Sequence, residues 1–254
     1  MKNDTDVFRR RLTAGEKLSG TFIKTPSGHA TEIFGDLGYD FVVEEHAPFD
    51  RLAIDQALVS ARAAQIAALV RVASASPSNL LSVLDAGAIG VLVPHVSSAQ
   101  GAADVAALCR YKGGKRGFSN SPRAGRYGGL SVQQHIERAD GMTTVVAQIE
   151  DPEALDQIDA IAAIDGIDGL FIGRGDLAAA MGAASPEAPE IRAAAERISA
   201  AARRAGKPAM VFVGSNKDAT AMREIGASAF IYSSDQGLMR QAAARSLAEF
   251  EALV

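Results

Sequence analysis

Short, uniformly apolar runs alternate along the chain with alanine-rich stretches whose apolar positions recur at helical spacing. The runs at 18–24, 41–45, 67–72, 90–96, 143–150, 169–173, 208–213 and 227–232 read as strands. Helical periodicity fills the intervals, over 50–65, 78–86, 98–111, 152–164, 189–205 and 219–225 among them. Runs such as Val91-Leu92-Val93 and Val145-Val146-Ala147 leave no polar face, as expected of parallel strands buried on both sides. Eight strand and helix units in 254 residues match a closed (β/α)8 TIM barrel, with residues 1–254 forming a single domain. An open parallel sheet is the alternative.

In such a barrel the chemistry gathers at the C-terminal ends of the strands. Residues at or just past those ends include Lys24, Glu44, Glu45, His46, Arg71, His95, Glu150 and Asp176. Glu150 and Asp176 close consecutive strands, and neighbouring strands lie about 4.8 Å apart, so their carboxylates can converge on one ion. Two carboxylates completed by water and substrate oxygens suit Mg²⁺ or Mn²⁺ better than structural zinc. Helix N-capping is the competing reading, since both acids stand near helix starts. In Gly173-Arg174-Gly175-Asp176 the glycines allow close backbone approach, and the following helix start offers N–H groups to a substrate carboxylate. His46 sits where the chain turns and has the titration range of a general base; a loop histidine on the surface is the plain alternative. Arg71, flanked by Val70 and Val72, needs an anion: an enolate oxygen, a substrate carboxylate or a structural acid.

Composition narrows the partners. With 48% hydrophobic residues the chain can bury a full core. A net charge of −4, with no basic stretch carrying interleaved aromatics, argues against nucleic acid. No apolar stretch approaches the roughly 20 residues of a membrane span, and the polar start Met1-Lys2-Asn3-Asp4 leads into no signal-like region, so a cytoplasmic protein with no membrane partner is expected. Cys109, the single cysteine, permits no intrachain disulfide and reads as a small core residue. The longest irregular stretch, residues 112–130, is glycine-rich and reads either as a lid or as a mobile connection.

Taken together, Glu45-His46-Ala47-Pro48, Val70-Arg71-Val72, Leu84-Asp85-Ala86-Gly87-Ala88, Gln148-Ile149-Glu150 and Phe171-Ile172-Gly173 through Asp176-Leu177 strongly resemble the HpcH/HpaI aldolase family. These are metal-dependent class II pyruvate aldolases on a (β/α)8 barrel, and the resemblance runs over nearly the whole chain. It implies Glu150 and Asp176 as ligands of Mg²⁺ or Mn²⁺, with Co²⁺ a third candidate. It implies His46 as general base, Arg71 as the group that stabilises the enolate, and Gln148, Gly175 and Asp176 as substrate contacts. Asp85 matches an acid that raises the basicity of the histidine, yet it ends a helix and so falls toward the far face of the barrel. A route through a neighbouring subunit would reconcile the two. The family often carries an Asp three residues before the histidine; here that position is Val43, with Glu44 next to it. A homo-oligomer, commonly a hexamer, is also implied.

The activity so implied is aldol cleavage of 4-hydroxy-2-oxo acids to pyruvate and an aldehyde, and its reverse. A Schiff-base route requires a lysine in the mouth, and Lys24 alone stands at a strand end. Oxaloacetate decarboxylation would pass through the same enolate. Cleavage of an acyl-CoA is disfavoured by the lack of a segment after the eighth helix to cover the ester. A barrel that binds an oxo acid without turning it over is the reading from another class, with Val43 as its best support.

Overall fold

In the computed structural model, which describes residues 7–45 and 49–253, the eight apolar runs are eight parallel strands: β1 (Leu18–Ile23), β2 (Phe41–Glu45), β3 (Ala67–Arg71), β4 (Gly90–Val93), β5 (Thr144–Ile149), β6 (Gly169–Ile172), β7 (Ala209–Val213) and β8 (Ala227–Ser234). They close into one barrel in sequence order, β8 pairing back onto β1. The helices are α1 (Phe8–Thr13), α2 (Gly28–Asp36), α3 (Arg51–Ala63), α4 (Pro77–Asp85), α5 (Ala99–Cys109), α6 (Val132–Met142), α7 (Ile158–Ala163), α8 (Arg174–Met181), α9 (Pro189–Arg204), α10 (Asn216–Glu224) and α11 (Asp235–Glu251).

Alternation along each strand divides the core in two. Phe41, Val43, Leu69, Leu92, Val146, Phe171, Met210 and Ile231 fill the barrel, while Val42, Val70, Val91, Val145, Leu170 and Val211 pack outward under the helices. The N-terminal end of the barrel is closed by α1, whose Phe8 and Leu12 are buried against the interior, with the Phe8 and Phe41 rings 5.4 Å apart. Each of those two side chains contributes about 2 kcal/mol by burial. Serine or aspartate caps set most helix starts: Ser27, Asp50, Ser76, Ser98, Ser131, Ser215 and Ser234 each accept a backbone N–H from the first turn.

Three expectations change. β4 stops at Val93, and His95 adopts a left-handed φ of 55°, so it belongs to the loop beyond the strand. The stretch expected as one helix over 152–164 begins as a 3₁₀ helix (Pro152–Gln157) and continues as α7. The 112–130 segment is no lid over the active end. Because α5 runs antiparallel to the strands, the chain leaves it at the N-terminal end of the barrel, and the segment stays there. Arg123 donates to the Ala86 carbonyl at 2.7 Å, and Arg116 pairs with Asp85.

Candidate active site

At the C-terminal mouth, β2 and β3 place Glu45 and Arg71 in register, side by side on the same face of the sheet. Arg71 Nη1 donates to Glu45 Oε2 at 3.1 Å. Its buried Nε has no hydrogen-bond partner among the described residues. The guanidinium is thus fixed at one edge by an acid and keeps a second donor in reserve, the arrangement an incoming oxyanion needs. The sequence marks Arg71 by its apolar neighbours but carries no sign that Glu45 anchors it; that follows from the β2 and β3 register, which pairs the two strand ends.

Glu150 and Asp176 meet, as expected. Glu150 follows β5 directly and is 1% exposed; Asp176 lies in the first turn of α8. Gly173, between β6 and α8, permits the contact: a Cβ there would lie 2.6 Å from Glu150 Cβ and 3.1 Å from the Ile149 carbonyl oxygen. The Glu150 carboxylate accepts the His95 backbone N–H at 2.9 Å and the Gln148 side-chain amide, and hydrogen-bonds the Asp176 side chain. Burial raises the Glu150 pKa above the ordinary carboxylate range, and the neighbouring Asp176 carboxylate pushes it further, against the His95 N–H.

Two acids pressed together, one of them buried, form a donor set for a hard divalent cation, whose charge would relieve the repulsion. The buried Gln148 Oε1, without a hydrogen-bond partner among the described residues, adds a polar atom beside the pair. Among the described residues no group of three or more His, Cys, Asp or Glu gathers around a common point, so a cation here takes two protein carboxylates and draws its remaining oxygens from water or substrate. The residues present therefore fit the implied metal.

Unlike most of the other helices, α8 opens with no side-chain cap; Gly173 precedes it, and Gly175 is exposed with open space around its Cα. The first N–H groups of α8 accordingly face the mouth unclaimed by a capping side chain. Arg174 in the same turn is structural: it is buried, pairs with Asp218 at 2.6 Å and donates to the Phe212 carbonyl at 2.8 Å. Phe22, Phe171 and Phe212 line one side of the mouth, Phe22 stacking on Phe212 at 6.1 Å and meeting Phe171 edge-on at 6.4 Å. Lys24 Nζ lies 5.8 Å from the Phe22 ring.

The histidines and remaining acids divide differently from the sequence expectation. His46 lies outside the described residues. His95, weighed only as an alternative, puts Nδ1 3.1 Å from Asp151 Oδ1 and 3.4 Å from Glu150 Oε1, with its ring largely exposed. Its pKa is raised, chiefly by the Asp151 hydrogen bond. Glu44 does not replace the acid absent at Val43. It faces outward, fully buried, where the Thr31 hydroxyl of α2 donates to it at 3.0 Å; burial drives its pKa up to about 8. Asp85 ends α4 at the opposite end of the barrel, where Arg116 Nη2 pairs with it at 3.0 Å. Helices run antiparallel to strands, so a helix C-terminus cannot reach the mouth of its own barrel, and Asp85 does not join this site within one chain.

The chain matches the family model described as HpcH/HpaI aldolase/citrate lyase over residues 18–242. It is 33% identical over 239 residues to a 5-keto-4-deoxy-D-glucarate aldolase of Klebsiella pneumoniae subsp. pneumoniae, covering 92% of this chain and 93% of that protein. A 5-keto-4-deoxy-D-glucarate aldolase of Enterobacter sp. (strain 638) is 34% identical over 248 residues, covering 95% and 96%. Among solved structures, an HpcH/HpaI aldolase/citrate lyase family protein from Burkholderia cenocepacia J2315 superposes with a TM-score of 0.92 at 29% identity, over 97% of this chain and 99% of that one. The citrate synthase SbnG does so with a TM-score of 0.86 at 27% identity, over 96% and 97%.

Proposed function

This chain belongs to the HpcH/HpaI aldolase/citrate lyase family and is a carbon–carbon lyase of the aldolase kind; from that premise we propose that it cleaves 4-hydroxy-2-oxo acids to pyruvate and an aldehyde, and runs the reverse condensation, with a divalent cation. The observation that carries the reading is the convergence of buried Glu150 with Asp176 at the same barrel end as an arginine holding a spare buried donor.

Glu150 and Asp176 would hold the Mg²⁺ or Mn²⁺ ion, which when bound supplies the Lewis acidity that polarises the 2-oxo acid. The N–H groups of Gly175 and Asp176 at the start of α8 receive the substrate carboxylate, and Gln148, whose side-chain amide braces Glu150, is the further substrate contact. Arg71, anchored by Glu45, stabilises the negative charge on the enolate oxygen. His46 takes the proton from the C4 hydroxyl. The C3–C4 bond then breaks, its electron pair passing into the enolate as the aldehyde leaves, and protonation at C3 gives pyruvate. Asp85, bound to Arg116 at the far end, would influence His46 only from a second copy of this chain.

A homo-oligomer is part of the proposal. Over α11 only Asp235 is buried, while Met239, Leu247 and Phe250 stand exposed along one helical face. A second copy of this chain is the cover proposed for that face. The names of the two relatives support a 4-deoxy-5-oxo sugar acid as the kind of substrate to try first. A barrel that binds without turnover drew on Val43, and Glu45 beside Arg71 weakens that reading by supplying an acid at the mouth.

The test is retro-aldol cleavage of 4-hydroxy-2-oxo acids, followed as pyruvate release with Mg²⁺, with Mn²⁺ and with chelator, in wild type and Arg71→Lys. Metal-dependent release is expected, with kcat about 100-fold lower in the lysine variant, which keeps the charge but loses the fork. Release unaffected by chelator, or by Arg71→Lys, would overturn the proposal.

A further inference from the structure

At the end of the barrel away from the mouth, the segment over 112–130 closes with α3, α4 and α6 around a cavity of about 140 Å³. Its floor is apolar, built from Leu58, Ile66, Ile89 and Met142 among others, yet five arginines line it: Arg62, Arg116, Arg123, Arg126 and Arg138.

Arg116 and Arg123 are set in place by acids. Arg123 pairs with Asp55 at 2.9 Å and donates to the Ala86 carbonyl, and its aliphatic part passes Gly87, where φ is 103° and a Cβ would lie 3.3 Å from Arg123 Cδ. Arg116 is held by Asp85 and by the Tyr111 ring, 4.6 Å from its guanidinium carbon. The Arg116 side chain is 1% exposed, and its buried Nε has no hydrogen-bond partner among the described residues. A buried guanidinium N–H without an acceptor is costly, and an oxyanion in the cavity would satisfy it. Arg62 and Arg126 stand exposed at the rim, and neither side chain makes an ion pair among the described residues. Asp55 and Asp85 are thus already engaged by two arginines, and the positive charge of the rim is left over.

A tetrahedral, doubly charged oxyanion accepts from several guanidinium forks at once, which a single carboxylate cannot do. The apolar floor suits a small organic group attached to it. We propose that this cavity binds a small phosphate ester, its phosphate on Arg116, Arg126 and Arg62 and its carbon part on the floor beneath. The site stands apart from the mouth of its own barrel, and the contacts proposed for the phosphate use neither Glu150 nor Asp176.

Calorimetric titration of the full chain with phenyl phosphate and, separately, with inorganic phosphate tests this. The expected result is saturable binding of one phenyl phosphate per chain, tighter than inorganic phosphate and unchanged by saturating pyruvate or by Glu150→Gln. Arg62→Ala and Arg126→Asn should each weaken it about tenfold, as loss of one charge-assisted contact implies; asparagine suits the left-handed φ of 54° at position 126. Circular dichroism of both variants checks that the fold is kept. Inorganic phosphate binding as tightly as the ester would overturn the ester assignment. No saturable binding, binding in the rim variants as tight as in wild type, or binding displaced by pyruvate would overturn the site.

Discussion

Replacing Glu44 by Gln should change how stability depends on pH while leaving the mouth untouched. Glu44 is buried in the outer layer between β2 and α2, with one oxygen receiving the Thr31 hydroxyl and the other without a partner among the described residues. Burial, aided by the charge of Asp235, lifts its pKa from the ordinary 4.5 to about 8. Below 4.5 the carboxyl is protonated whether the chain is folded or not, and costs nothing. Between 4.5 and 8 the unfolded chain releases the proton and the folded chain keeps it, so stability falls as pH rises; above 8 the loss is complete. At about 1.4 kcal/mol per decade, the loss between about pH 5 and about pH 9 is about 4 kcal/mol. Glutamine mimics the protonated acid and lacks this slope. Urea unfolding of both proteins at the two pH values, at one protein concentration, gives the difference directly. Parallel pH profiles for wild type and Glu44→Gln would refute the reasoning.

Two further outcomes follow from the packing. Gly173→Ala places a methyl 2.6 Å from Glu150 Cβ, so Mn²⁺ affinity measured by calorimetry should fall by about tenfold or more; unchanged affinity would mean that Glu150 does not hold the ion. Changing Met239, Leu247 and Phe250 together to serine removes the exposed apolar face of α11, and sedimentation should show the assembly shifting to smaller species, whereas an unchanged distribution would remove α11 from the interface.

The barrel was legible because parallel strands buried on both faces leave nearly unbroken apolar runs, and all eight lie where those runs lie. Glu150 and Asp176 were legible for the same reason, as charges that close such runs. Pro94 and Val96 continue the apolar pattern through His95, which carries no sign of the left-handed residue between them. The place of the 112–130 segment follows from chain direction rather than composition: it leaves α5 at the N-terminal end of the barrel, and there its arginines enclose the cavity with α3, α4 and α6. Glu44 and Glu45 look alike in sequence, and only the pleat sends one to α2 and the other to Arg71.

The central claim is that Glu150 and Asp176 hold a cation with which the chain forms pyruvate enolate. Exchange of the pyruvate methyl protons in D₂O, followed by NMR, tests it without any choice of aldehyde. The account predicts exchange with Mg²⁺ or Mn²⁺ that stops with chelator and is lost in Glu150→Gln. Exchange that persists in that variant, or none in wild type with either metal, would contradict it.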